Sequence, residues 1–125
     1  MDNGAVRDAL VARRAEQRTR LAWMAAEFDE VASSAADANG DDEHDPEGST
    51  VAFERARISA LVAAARVMVD RLDAAVERID HGTYGWCTRC GAAIDPERLA
   101  ALAEGDTCLA CALQARSDGR PVALR

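Results

Sequence analysis

Apolar side chains in the first third of the chain recur in alternating steps of three and four, at Leu21, Met24, Phe28, Val31, Ala35 and Ala38. That is the spacing of a coiled-coil seam. From about Ala5 to Ala38 strong helix formers dominate and nothing breaks a helix. A second segment, about Thr50 to Asp80, repeats the rhythm with Val51, Ile58, Leu61, Ala65, Met68, Leu72, Ala75 and Ile79. Ser49 or Thr50 is the expected N-cap, with Glu54 in the first turns. Asp80-His81-Gly82 is the expected stop, Gly82 taking a left-handed cap.

The two segments fit an antiparallel pair. Phe28 faces Ile58, Met24 faces Leu61, Leu21 faces Ala65 and Leu10 faces Val76, all nearly centred on residue 43. The same register sets Gln17 near Met68 and Arg14 near Leu72, so the seam loses apolar character towards its base. Thirty-odd residues per helix at ~1.5 Å each give an arm on the order of 45 Å long. The bend at about 39–50 is the acidic stretch DDEHDPEGST. Loops held out on rigid scaffolds are where contacts concentrate, which makes this bend the expected working tip. Trp23 lies one position off the seam and is expected to flank the core.

Composition agrees with helices and narrows the partners. Only 4% of the 125 residues are aromatic, too few for a broad globular core. A net charge of -7 argues against a nucleic-acid binder, and equally against a partner that is an anionic membrane surface. The opening MDNGAVRDALVARR has no apolar run, so the expectation is a cytoplasmic chain without signal or span.

In reducing cytosol, paired thiols hold metal more often than they form disulfides. Cys87 and Cys90 are followed after seventeen residues by Cys108 and Cys111, the spacing of a four-thiolate zinc site. Each two-residue gap presents two sulfurs to one ion, and two such turns close a tetrahedral shell. Four protein ligands leave no open position, so the expected ion is one structural Zn2+, not a catalytic one. Gly91 suits a tight knuckle, and Asp95-Pro96 reads as a cap followed by proline at the first helical position. ALQAR, after the second pair, reads as a helix starting near the ligands. Trp86 is expected to pack between this module and the base of the paired helices.

The fold expected is all-α: a long antiparallel coiled-coil hairpin over 1–80, a four-cysteine zinc module with a C-terminal helix over 81–116, and a tail over 117–125. The chain resembles the DksA/TraR family of C4 zinc-finger transcription regulators. The residues that carry the resemblance are Arg78, Ile79, Gly82, Tyr84, Gly85, Cys87, Cys90, Gly91, Ile94, Arg98, Leu99, Cys108 and Cys111. The resemblance implies a partner, RNA polymerase, and a mechanism in which the hairpin enters the secondary channel and acidic tip residues act near the catalytic magnesium. It implies no direct DNA contact and no small-molecule substrate.

Against the DksA tip pattern D-x-x-D-x-A, Asp42 and Asp45 match the aspartates while Glu47 replaces alanine. The basic positions that help DksA hold guanosine tetraphosphate are here Leu102 and Ala112, although Arg71 remains at a third. Arg71 and Arg98 are further candidate partner contacts. Two other classes compete. One is a zinc-stabilised coiled-coil scaffold that docks on another cytoplasmic assembly. The other, an enzyme built on Asp42, His44, Asp45 and Glu47, is excluded because an exposed bend offers no desolvated pocket.

Overall fold

The computed structural model describes residues 2–38 and 46–119, with side chains for 2–33 and 50–119. The element order is α1 (Asn3–Ala38), α2 (Pro46–Asp80), α3 (Pro96–Ala101) and α4 (Leu109–Ser117). Among the described residues the only β pairing is an isolated antiparallel bridge between Trp86 and Ala93. The fold is all-helical, and its two long helices run antiparallel and in contact. Among the described residues, no helix is long and apolar enough to cross a membrane.

Both long helices start earlier than their seams suggest. Asp2 caps α1: its Oδ1 accepts from the Gly4 and Ala5 amides at 3.0 and 3.4 Å. The start of α2 is Pro46, not a Ser49 or Thr50 cap. Proline tolerates the first helical position, where its missing N–H has no helical acceptor to lose and its fixed φ suits the helix. Asp42 and Asp45 lie outside the described residues. Glu47 falls in the first turn of α2, and its side chain, like those of Ala35 and Ala38, also lies outside them.

The chain divides into two compact units, one of Met1–Arg14 with Asp70–Arg125 and one of Ala15–Val69. In the second unit Met24, Ile58, Val62 and Ala65 form the core, with Leu21, Phe28 and Val31 packed against it. This corrects the expected seam of α2. Val62 and Val69 are buried, whereas Leu61 is 39% exposed and Met68 only half-buried. Both choices are apolar; register decides between them. With Val62 facing Met24, the pairs Phe28–Ile58, Met24–Val62 and Leu21–Ala65 share one midpoint, which Leu61 would break. Trp23 is 75% exposed and does not flank the core, and Phe53 is 81% exposed.

In the first unit Leu10, Leu72 and Ala75 are fully buried, with Val76, Tyr84, Ile94, Leu99 and Ala112 close behind. Where the seam runs short of apolar side chains, ion pairs replace them. Arg14 Nη1 meets Asp73 Oδ1 at 3.0 Å, so it pairs with an acid beside Leu72. Arg7 holds Asp80 with two bonds, Nε to Oδ1 at 2.8 Å and Nη2 to Oδ2 at 3.2 Å. Gly82, at φ +75°, ends α2 as expected. The turn closes with the Gly82 amide on Ile79 O at 3.1 Å and the Thr83 amide on Arg78 O at 2.8 Å.

Candidate metal centre

The first cysteine pair sits on a knuckle between two extended strips. The Cys87 amide donates to Ala92 O at 2.7 Å and the Ile94 amide to Gly85 O at 2.8 Å. The Gly91 amide returns to Cys87 O at 2.9 Å, and its φ of +77° explains the glycine after Cys90. The second pair is set by α4. Cys108 is its N-cap, and Cys108 Sγ accepts from the Cys111 amide at 3.4 Å. Asp95 caps α3 with Pro96 behind it, its Oδ1 accepting from the Glu97 amide at 2.9 Å.

These turns bring all four sulfurs within 4.8 Å of one another, with Cys90 and Cys108 Sγ 3.7 Å apart. A tetrahedral zinc with ~2.3 Å bonds to sulfur requires sulfur separations of about 3.8 Å. The donor set and its spacing therefore fit one structural Zn2+. Burial opposes ionisation of the Cys87 thiol, but amides of Cys108, Cys90 and Arg89 aimed at the sulfur outweigh it and bring it down to about 6. Cys111 goes the other way, pushed up to about 12 by hydrogen bonding to Cys108 and Cys90. Sulfurs this close cannot all carry charge unaided; a bound dication would supply the missing compensation.

Immediately before Cys108, the loop 102–107 has every carbonyl occupied. Leu102 O accepts from the Gly105 amide at 2.8 Å, and Ala103 O from the Tyr84 hydroxyl at 2.8 Å. Arg78 Nη2 donates to Glu104 O and Gly105 O at 3.3 and 3.4 Å. Asp106 O takes both the Thr88 amide and hydroxyl, at 2.8 and 3.0 Å, and Thr107 O takes Arg98 Nε at 3.0 Å. Glu104 is buried, and its Oε2 accepts from Arg13 Nη1 at 2.9 Å. Gly105 is needed for closeness: a Cβ there would lie 2.9 Å from Leu102 O.

Residues 82–114 match the prokaryotic DksA/TraR C4-type zinc finger. The chain carries a DksA/TraR finger. No curated protein matches the chain. Among solved structures, transcription factor DksA2 from Pseudomonas aeruginosa superposes with a TM-score of 0.73 at 23% identity. The likeness covers 94% of this chain and 84% of that one, and at that identity it concerns the fold.

The DksA/TraR finger unites Cys87, Cys90, Cys108 and Cys111, as their spacing predicts. The candidate partner contacts Arg71 and Arg98 lie outside that cluster. Arg71 is buried at 7% exposure, and Arg98 is turned inward onto Thr107. Trp86 is 53% exposed and so is not packed away beneath the finger. The parts that sequence reasoning missed are the supports of the loop: Arg13, Arg78, Tyr84, Thr88 and Glu104. Arg78 and Tyr84 stand within the resemblance, yet only the folded loop reveals what they hold.

Proposed function

We propose that this protein is a transcription regulator that binds RNA polymerase and inserts its paired helices into the secondary channel. One observation carries the reading: likeness to the fold of a transcription factor runs over 94% of the chain and coincides with a DksA/TraR finger over 82–114. Asp42, Asp45 and Glu47 are the residues assigned to the channel, near the catalytic magnesium. A net charge of -7 suits a cation-bearing channel. The zinc site holds structure and takes no part in chemistry, so the protein acts by contact in the cytoplasm and not as an enzyme. Glu47 in place of alanine keeps an acidic tip while altering its effect on initiation.

Guanosine tetraphosphate does not act through this protein in the DksA manner. Leu102 and Ala112 cannot pair with phosphate, and Arg71, the remaining basic position, is buried. Retention of polymerase on the immobilised protein, and transcription in vitro with Asp42→Asn and Asp45→Asn, test the main reading. Polymerase should be retained by all three proteins, with the effect on transcription lost in the variants. Failure to retain polymerase sinks the reading and leaves docking on another assembly. Nucleotide titration against polymerase with and without the protein tests the second claim; a new protein-dependent site would refute it.

A further inference from the structure

We propose that Arg78, Tyr84, Thr88 and Arg98 are positioning residues for the zinc site, which fix the gap between its two cysteine pairs and so set how slowly the ion is lost. The bonds tie the two sides of the site without using sulfur. Thr88 stands next to Cys87, and both its amide and its hydroxyl hold Asp106 O, two residues before Cys108. Arg98 comes from α3 and holds Thr107 O, the residue before Cys108. Tyr84 and Arg78 hold the three carbonyls further back. Cys108 is thus kept beside the first knuckle from both directions.

Two features make the clamp firm. Glu104 and Thr107 are each only 7% exposed and Gly105 is buried too, so water cannot easily replace the donors. Arg78 and Arg98 are charged donors, and charged donors make the stronger hydrogen bonds. Arg13, through Glu104, adds the first turns of α1 to the same support. A loop held at its carbonyls keeps the Cys108 sulfur 3.7 Å from that of Cys90, so an unbound thiolate has little room to swing away. Loosening any clamp residue gives it that room while leaving all four ligands in place.

Zinc loss from the full-length, zinc-loaded protein to an excess of chromophoric chelator reads this directly, with far-UV circular dichroism recording helix content. Tyr84→Phe deletes one oxygen, and Arg98→Met removes one donor while keeping the aliphatic stem. Both should lose zinc faster by about 10-fold, the lower end of what loss of an outer-shell partner costs in metal affinity, with helix content kept. Arg98→Lys, which keeps a charged donor, should fall between Arg98→Met and the parent. Arg57→Met, whose partner Glu54 lies in the other unit, should release zinc at the parent rate. Folded Tyr84→Phe and Arg98→Met proteins that release zinc at the parent rate would overturn the proposal. If Arg98→Met does not fold, the single-atom change at Tyr84 decides alone.

Discussion

The two units solve one problem, holding α1 against α2, by different means. Residues 15–69 use an apolar core of Met24, Ile58, Val62 and Ala65. The other unit draws on the same two helices but adds Arg7–Asp80, Arg13–Glu104 and Arg14–Asp73, a loop with every carbonyl bonded, and four sulfurs. An apolar core is indifferent to chelators and salt. A metal and a set of ion pairs are not. The difference teaches that one pair of helices can be stable against different insults along its length.

Chelation gives the largest expected separation of the two. Stripping zinc, or Cys90→Ser, should lower the main thermal transition by tens of degrees, because binding energy at a structural zinc is folding energy. Amide exchange should then accelerate in residues 82–117 far more than around Ile58. Equal acceleration in both units would erase the distinction. Within the apolar unit, Val62→Ala should destabilise by about 1–3 kcal/mol, while Leu61→Ala should cost under about 1 kcal/mol. Denaturant titration would reveal a reversed order if Leu61 were the seam residue.

A smaller effect belongs to the charged unit. Hydrogen bonding from Arg7 holds the Asp80 carboxyl below its usual range. A lowered value in the folded state means that the contribution is complete above the unfolded value of about 3.9 and fades as pH falls through the folded one. Asp80→Asn should therefore lower the melting temperature slightly at neutral pH and not at pH 2, and 1 M salt should shrink the difference. Smallest, and opposite in sign, is Thr107→Val. The Thr107 hydroxyl oxygen is buried without a hydrogen-bond partner, so its removal should be neutral or slightly stabilising by calorimetry.

How far the sequence could be read depended on what kind of force was at work. Helices, direction of pairing and cysteine cluster were legible because periodicity and C-x2-C spacing are local signals. The exchange of Leu61 for Val62 was not, since both are apolar and only a common midpoint across two helices separates them. The first turn of α2 was hidden because Pro46 reads equally as a breaker and as a first helical residue. Arg98 looked free for a partner because its acceptor, a backbone carbonyl nine positions on, has no side-chain signature. The loop 102–107 shows the same limit: apart from the Gly105 amide, the donors to its carbonyls are scattered from Arg78 to Arg98.

One consequence of that loop concerns the genetics of the protein. Gly91 has a positive φ and open space around it, so its restriction is conformational and asparagine can substitute. Gly105 has no such φ; what it lacks is room, with a carbonyl 2.9 Å from any Cβ. In a saturation library scored for zinc retention, position 91 should therefore tolerate asparagine better than alanine, whereas position 105 should reject both. Variants at 105 would look like cysteine losses while retaining all four cysteines, a phenotype that marks the backbone as part of the metal site.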